Sequence, residues 1–424
     1  MEILKKLASK ELFKVTSLNS ISVIFKIGIG LITSKLLAIF VGPSGMALVG
    51  NFRNFISSLE SIATLGFQNG IVNYIAKSRE DNLKLNKIIS TVFTSLFMVS
   101  LLLSSGLFLF SEYLCVQIFG PNSNFGIVFK CLALSLPWYA TSIFLLSVIN
   151  GLGNYKRVIQ INIIGNAVGL FVSIIMIIYF KTLGAILSIV ITPSLMFFIT
   201  YYFINREINF FKAIHLNQFD FKIIKKLSSF SLMALVSSVI GPMVFLTVRK
   251  YVIHIVGLEQ AGYWETITRI SSYYLMFVTT ILSIYFLPKL TVATSNQQTK
   301  SIFWSFYRYL LPLFTIGIIV LYFLRFFIIK TLFTVEFLPV ASLFFWQMIG
   351  DFLKVASLIL GYNLLAKKMT VVFIITELFS LSITYFLSLY LVPIFGVEGV
   401  VMAHAFTYLV YLIVLSMVFR KSIF

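Results

Sequence analysis

Long apolar stretches recur along the whole chain, with short polar turns between them. Each is long enough to cross a bilayer, which takes about 20 apolar residues. Because a chain in lipid has to satisfy its backbone hydrogen bonds internally, these stretches predict helices. The twelve predicted spans are 15–41, 44–77, 83–110, 127–150, 157–180, 182–204, 227–253, 260–288, 301–328, 339–366, 369–392 and 396–419.

The longest polar connection separates two groups of six spans. We predict an N-lobe over 15–205 and a C-lobe over 227–419, pseudo-symmetric and arranged around a central cavity. The basic segment 206–226 is the predicted cytoplasmic linker, residues 1–14 a predicted interfacial helix, and 420–424 a cytoplasmic tail. Each half places an arginine, Arg53 or Arg269, seven or eight residues after a glycine turn. Parallel repeats of this kind usually form a substrate site between the halves.

Composition places the chain in a membrane. Hydrophobic residues make up 59% and charged residues 11% of the 424, whereas a soluble chain has about 25% charged residues. The net charge of +19 follows a bias in the loops: 21 lysines and arginines flank one side of the predicted spans, and only Lys181 and Lys330 flank the other. The positive-inside rule puts both termini in the cytoplasm, and this bias explains the charge without nucleic-acid binding.

A charged residue inside a predicted span costs at least about 2.5–3.5 kcal/mol to insert, and ten such residues are candidates for a functional role. The cations are Lys26, Arg53, Arg249, Lys250, Arg269 and Lys354, and the anions are Glu60, Glu265, Asp351 and Glu377. One interpretation is internal ion pairing, Glu265 with Arg269 and Asp351 with Lys354, because charges in membranes pair with one another. The other is a cation-rich cavity for a phosphate or pyrophosphate, with the carboxylates as candidates for proton coupling.

Three aromatic residues are candidates for sugar binding, and one glycine-proline step is a candidate hinge. Tyr273, Tyr274 and Trp346 either stack on a sugar or belong to the interfacial aromatics of a membrane protein. Gly241 and Pro242 either form a hinge in span seven or a static bend. Glycine pairs four residues apart, Gly66 with Gly70 and Gly165 with Gly169, indicate close helix packing.

Several kinds of chemistry have no signal in the sequence. There is no GxxxxGK[ST] phosphate loop, no His/Cys cluster with metal spacing, and only Cys115 and Cys131 as cysteines. We therefore predict no cofactor and no metal. The segments outside the predicted spans are short, which argues against a membrane polysaccharide polymerase or ligase. A membrane transporter is the prediction, and an enzyme is not.

Four stretches of the chain resemble one known family. They are Lys35-Leu36-Leu37-Ala38 through Gly42-Pro43-Ser44-Gly45 to Asn51-Phe52-Arg53; Phe230–Leu235 with Arg249-Lys250; Leu287-Pro288; and Trp346-Gln347, Gly350-Asp351 and Lys354. In these the chain resembles the Wzx-type flippases that move O-antigen or enterobacterial common antigen precursors. This family belongs to the MOP superfamily, which also holds the MATE exporters.

The resemblance implies a function as well as a fold. It implies a multi-pass protein of the bacterial inner membrane that moves undecaprenyl-pyrophosphate-linked oligosaccharides to the periplasmic leaflet, by alternating access coupled to an ion gradient. A polysaccharide polymerase and a chain-length regulator are expected further partners, and the protein is expected to be a monomer. The rival hypothesis is a MATE-like antiporter of cationic drugs, whose cavity would need net negative charge.

Overall fold

Helices form almost all of the chain that the computed structural model describes. The described residues are 2–121, 123–207, 210, 214 and 219–423, with side chains from residue 21 onward except at 229–231, 233 and 423. Within these ranges no strand is present, which confirms the prediction of an all-helical protein.

The α-helices are numbered in chain order. Those that begin before Gly241 are α1 Glu2–Phe40, α2 Gly42–Ala63, α3 Gln68–Lys77, α4 Asn82–Leu109, α5 Ser111–Phe119, α6 Gly126–Gly151, α7 Tyr155–Ile204 and α8 Phe221–Leu235. The later ones are α9 Gly241–Val256, α10 Leu258–Ile281, α11 Leu287–Val292, α12 Asn296–Ser305, α13 Leu311–Phe323, α14 Arg325–Leu332, α15 Val340–Ala366, α16 Thr370–Phe395, α17 Glu398–Val418 and α18 Arg420–Ile423.

Ten helical stretches of the described chain are long and apolar enough to cross a membrane. Two features explain why ten stretches are found where twelve spans were predicted. The 50-residue α7 covers two predicted spans, and Lys181 in it has non-helical backbone angles. The 22-residue α2, which carries Arg53 and Glu60, is not among the ten. The multi-pass helical architecture is confirmed, and the count of twelve stays a prediction.

The chain reverses direction inside α7, at Lys181. Its backbone has φ 48° and ψ −123°, which no helical residue adopts. A Cβ added to Gly184 would lie 1.8 Å from the carbonyl oxygen of Met176, although a straight helix separates residues eight positions apart by about 12 Å. The two arms of α7 therefore lie side by side, as the predicted spans 157–180 and 182–204 require.

Glycines allow these two arms to approach closely. A Cβ at Gly165 would lie 1.9 Å from Sδ of Met196, and one at Gly169 would lie 2.6 Å from Cγ2 of Thr192. Small residues spaced by four let membrane helices pack at short range. The packing role predicted for Gly165 and Gly169 is confirmed, and the structure identifies the second arm of α7 as the partner.

The chain forms two compact units. The first consists of the chain up to Leu36 and of Asn51–Pro242; the second consists of Leu37–Gly50 and of the chain from Met243 onward. These bounds differ from those of the predicted lobes, because part of α2 groups with the second unit. The lobes themselves, and the membrane-surface position of the first residues of α1, stay predictions.

Each unit has its own helix packing. In the first, α3, α4 and α6 enclose an apolar core that includes Ile71, Val92 and Val148, all at most 1% exposed. In the second, α15 lies against α10, α16 and α17. This arrangement brings side chains from three helices to the middle of α15, where Asp351 lies.

Asp220 ties the start of α8 to α4. Its carboxylate lies 2.8 Å from the Lys87 ammonium and accepts a 2.8 Å hydrogen bond from the backbone N–H of Lys222. Its own N–H donates to Oγ1 of Thr91 at 3.1 Å. The contact with Lys87, followed by that backbone N–H, lowers the pKa of Asp220, so the carboxylate is ionised at neutral pH. Nine of the 21 residues of the predicted linker 206–226 lie outside the described residues, and α8 begins within its predicted range.

Three π-helical segments occur in the described chain, and each ends two residues before a proline. They are Val236–Ile240 before Pro242, Leu282–Phe286 before Pro288, and Phe306–Leu310 before Pro312. Proline has no N–H and its ring clashes with the carbonyl four residues earlier, and at these three positions a wider turn replaces the regular helical pattern. The bend predicted at Gly241 and Pro242 thus coincides with a π turn, whereas its use as a hinge stays a prediction.

Candidate functional site

A buried carboxylate lies at the centre of the second unit. Asp351 on α15 has 0% exposure and accepts hydrogen bonds from Ser271 Oγ at 2.6 Å and from the Tyr274 hydroxyl, both on α10. The amide Nε2 of Gln347 lies 3.2 Å from both carboxylate oxygens. From α17, Nε2 of His404 lies 3.0 Å from Oδ1. These groups can stabilise a negative charge that the membrane interior would otherwise oppose.

Gly350 allows α17 to come this close. A Cβ at this position would lie 2.2 Å from Cδ2 of His404 and 3.1 Å from Cα of Ala405. The sequence Gly350-Asp351 therefore combines an acidic side chain with the space that its partner helix needs. Sequence spacing could not connect His404 on α17 with Asp351 on α15.

Asp351 and Lys354, the predicted ion pair, interact electrostatically, but no direct salt bridge joins them among the described residues. The Lys354 ammonium instead lies 5.3 Å from the centre of the Tyr408 ring, on α17. Glu377 of α16 interacts electrostatically with Lys354 and is partly buried. Four helices, α10, α15, α16 and α17, therefore share one polar cluster. We call it the Asp351 cluster and define it as Ser271, Tyr274, Gln347, Asp351, Lys354, Glu377, His404 and Tyr408.

A second buried charged group joins α9 and α10. Arg249 is 2% exposed, and its Nη2 donates to Oε2 of Glu265 at 2.7 Å. Arg269 lies one turn beyond Glu265, with Nη2 3.7 Å from Oε1. The Trp264 ring centre is 4.9 Å from the Arg249 guanidinium. The predicted contact between Glu265 and Arg269 is present, but the shorter contact goes to Arg249, which spacing alone could not show.

This arginine pair, Arg249 and Arg269, carries more donors than the protein satisfies. Nε and Nη1 of Arg249, and Nε and Nη2 of Arg269, are buried without a hydrogen-bond partner among the described residues. Unpaired buried donors are costly, because they lose water without a replacement. Two guanidinium groups against one carboxylate leave an excess positive charge, which suits an anion with several oxygens.

The backbone of α2 packs directly on this group. A Cβ at Gly50 would lie 2.4 Å from Nη1 of Arg249 and 2.5 Å from Oε2 of Glu265. Any larger residue at Gly50 would therefore displace the ion pair. Sequence reasoning missed Gly50, because a glycine inside a membrane helix gives no signal of what it contacts.

The remaining predicted site residues lie in several environments. In the first unit Lys26 is exposed, Arg53 is partly buried, and Oε2 of Glu60 accepts a hydrogen bond from the Tyr139 hydroxyl on α6. In the second unit Lys250 and Tyr273 are partly buried. Trp346 packs against the rings of Phe345 and Phe406, at centroid distances of 5.5 and 6.0 Å. Tyr274, one of the predicted stacking residues, donates a hydrogen bond from its hydroxyl to Asp351.

Metal and disulfide chemistry have no site in the described chain. No group of three or more His, Cys, Asp or Glu residues with a metal-binding arrangement occurs there. Cys115 and Cys131 are both free thiols, and Cys115 is buried.

Comparison with known proteins identifies the relatives of this chain. It is 28% identical over 405 residues to the Lipid III flippase of Escherichia coli (strain K12), a match that covers 94% of this chain and 96% of that protein. The Lipid III flippase of Shigella flexneri matches to the same extent. Among solved structures, an inward-facing multidrug resistance MATE family transporter of the MOP superfamily has a TM-score of 0.77 at 14% identity. That match covers 95% of this chain and 94% of the other.

These findings confirm the predicted resemblance and the prediction of a transporter rather than an enzyme. The structural match shows a MATE-like fold. A family model described as polysaccharide biosynthesis protein matches residues 12–293, about two thirds of the sequence. The chain therefore belongs to the polysaccharide biosynthesis protein family of multi-pass membrane proteins.

Proposed function

We propose that this protein is a flippase that moves undecaprenyl-pyrophosphate-linked oligosaccharides from the cytoplasmic to the periplasmic leaflet of a bacterial inner membrane. The observation that carries the proposal is the match to a Lipid III flippase along 94% of the chain. Within this class, O-antigen or related surface-polysaccharide repeat units are the proposed substrates. A polysaccharide polymerase and a chain-length regulator would act on the product, and the flippase acts as a monomer.

The pyrophosphate is bound by the intramembrane cations. Arg249 and Arg269 supply buried donors that lack partners in the described chain, and pyrophosphate oxygens match a guanidinium fork. Lys26, Arg53, Lys250 and Lys354 complete the proposed set. Because Arg249 and Arg269 are 2% and 4% exposed, α9 or α10 has to move before a substrate reaches them. The π turn before α9 is a place where such movement can begin.

The Asp351 cluster is the proposed coupling site. His404 lies 3.0 Å from the fully buried Asp351 carboxylate, and ionisable residues inside a membrane are candidates for proton relays. A proton taken up by this pair changes its net charge by one. Glu60, Glu265 and Glu377 are the other acidic candidates. Exchange of this proton between the two sides of the membrane would link transport to a proton gradient.

The substrate clamp is tested by alanine substitution in the producing bacterium. Arg53→Ala, Arg269→Ala and Lys354→Ala should each reduce surface polysaccharide by at least about tenfold, because a charge-assisted contact contributes about 1.5–3 kcal/mol. Lys330→Ala, on an exposed cation, is the matched control. Stably inserted variants with normal surface polymer would exclude these cations from substrate binding.

The fold also supports a second candidate, a MATE-like antiporter of cationic drugs. The excess of cations over anions in the predicted spans argues against it, since a cationic drug would be repelled. Expression in a drug-sensitive strain separates the two functions. Drug resistance without any effect on lipid-linked oligosaccharide would favour the antiporter.

A further inference from the structure

A polar cavity of about 410 Å³ lies within the first unit. One wall comes from α2, the turn after it and the start of α3, and the other comes from the broken helix around Pro242. Its lining includes the polar residues Ser57, Glu60, Thr64, Gln68, Asn69 and Ser238. Two other cavities in the described chain are lined almost entirely by apolar side chains, as expected of surfaces that face lipid tails.

Hydrogen-bonding groups of this cavity are available to a ligand. Oε2 of Glu60 accepts from the Tyr139 hydroxyl, and a carboxylate has about four lone-pair sites, so acceptor capacity remains. Within the described chain, the side chains of Ser57, Gln68 and Asn69 have no hydrogen-bond partner. The cavity therefore presents hydroxyls, amides and one carboxylate, which together both donate and accept.

The opposite wall is held in place by α2. Ser58 donates a 3.1 Å hydrogen bond to the carbonyl oxygen of Val239, inside the π turn that precedes Pro242. A change in that turn would therefore alter the shape of the cavity. This connects occupancy of the cavity with the segment where the helix is already interrupted.

The chemistry of the lining selects among the parts of a lipid-linked oligosaccharide. An isoprenoid tail would leave the polar groups unsatisfied. A pyrophosphate would meet the Glu60 carboxylate, and no Lys or Arg is among the residues that line the cavity. A single bound ion needs far less space, whereas cavities that bind small molecules measure about 300–1,000 Å³. A neutral ligand with many hydroxyl groups fits both the size and the lining.

We propose that this cavity binds a sugar of the lipid-linked headgroup and contributes to the choice of repeat unit. This inference rests on the proposed flippase function and adds a subsite separate from the arginine pair. Sites built to bind hydroxyl groups discriminate strongly against ligands that lack them, because their polar groups are then left unpaired. Glu60, Gln68 and Asn69 are the specificity-determining residues.

The experiment measures binding of two probes to the purified full-length protein. One is bare undecaprenyl pyrophosphate, and the other is the undecaprenyl-pyrophosphate-linked oligosaccharide isolated from the producing strain. The wild type should bind the oligosaccharide form more tightly. Glu60→Gln, which keeps an acceptor for Tyr139, and Asn69→Ala should reduce this preference at least about tenfold, with affinity for the bare probe within twofold of the wild type.

Glu112→Gln, at an exposed carboxylate of the same unit, is the control and should bind both probes as the wild type does. Ser57→Ala gives a third variant at an exposed position, should Glu60→Gln fold poorly. Unchanged preference in all folded variants, or equal weakening of both probes, overturns the sugar subsite. A change only in the ion dependence of transport shows a cation site and overturns it as well. A wild-type protein that binds neither probe contradicts the flippase proposal itself.

Discussion

Some contacts of the charged residues inside the membrane can be predicted from sequence spacing, and others cannot. Glu265 and Arg269 are four residues apart on one helix, so their contact is foreseeable from helical geometry. Asp351 has Lys354 within reach on its own helix, yet its partners include Ser271 and His404 from two other helices. Sequence spacing predicts which side chains of one helix lie close together. The contacts of Asp351 with other helices depend on how three helices pack, and residue periodicity does not predict that packing.

Substitution of Asp351 tests the proposed coupling at the level of one carboxylate. In proteoliposomes, Asp351→Asn should abolish the acceleration of flipping by a proton gradient while retaining slow flipping without a gradient. The substitution also replaces one carboxylate oxygen with an NH2 group, so at least one of the donors around Asp351 loses its acceptor, which should cost about 1–3 kcal/mol of stability. Flipping rates with and without an imposed pH gradient provide the measurement.

Glu336→Gln, at an exposed carboxylate of the same unit, is the control for this substitution. His404→Gln should reduce the gradient effect in the same direction, because it removes the imidazole that contacts Asp351. A folded Asp351→Asn protein that still responds fully to the gradient would assign the coupling to another group.

The prolines show how far sequence alone predicts an interruption within a helix. Three prolines in the second half of the chain follow π turns. By contrast, Pro137, Pro193 and Pro393 lie inside continuous α-helix. Proline content predicts an interruption, but neighbouring helices determine whether the backbone widens or keeps its α-helical pattern. The hinge hypothesis therefore depends on the structure for its location.

Pro242→Ala tests whether the turn before α9 moves. The substitution restores a backbone N–H and removes the ring clash, so the helix should become more regular and the thermal midpoint should rise. If α9 bends during transport, the flipping rate should fall at least about fivefold. Thermal unfolding and flipping by the purified protein are the two measurements.

Pro393→Ala, within the continuous α16, should alter transport little and serves as the control. Gly241→Ala adds a second variant, because a Cβ there meets no atom within 4 Å. Wild-type flipping rates in Pro242→Ala and Gly241→Ala would show that the bend is static.

At the scale of the whole molecule, apolar stretches and loop charges predicted the helical membrane architecture. Most predicted helix bounds were close to those observed, because long apolar stretches leave few alternatives to helix, but the predicted span 44–77 is two helices, α2 and α3. The division into units was less predictable, since Leu37–Gly50 groups with residues some two hundred positions later. Contacts such as Gly262 against Pro43, where a Cβ would lie 1.9 Å from the Pro43 oxygen, give that grouping its physical basis.

The proposed orientation can be tested by labelling two loops. In a protein with Cys115 and Cys131 replaced by serine, Asn124→Cys should react with a membrane-impermeant maleimide added to spheroplasts. Glu80→Cys should react only after permeabilisation, because the basic loop that contains it is expected in the cytoplasm. Both positions are exposed. The opposite labelling pattern would reverse the topology, and reaction of both in intact spheroplasts would contradict the span between them.

The reversal at Lys181 has a consequence for biogenesis. In the predicted topology Lys181 lies on the periplasmic side, so the first arm of α7 spans the membrane before the second, and the glycines of each arm lie against the other arm. We expect the two arms to enter the lipid as a single insertion unit. A nascent chain that stops at residue 181 should be retained by the translocation machinery, and release into lipid should begin only after the returning arm has been synthesised.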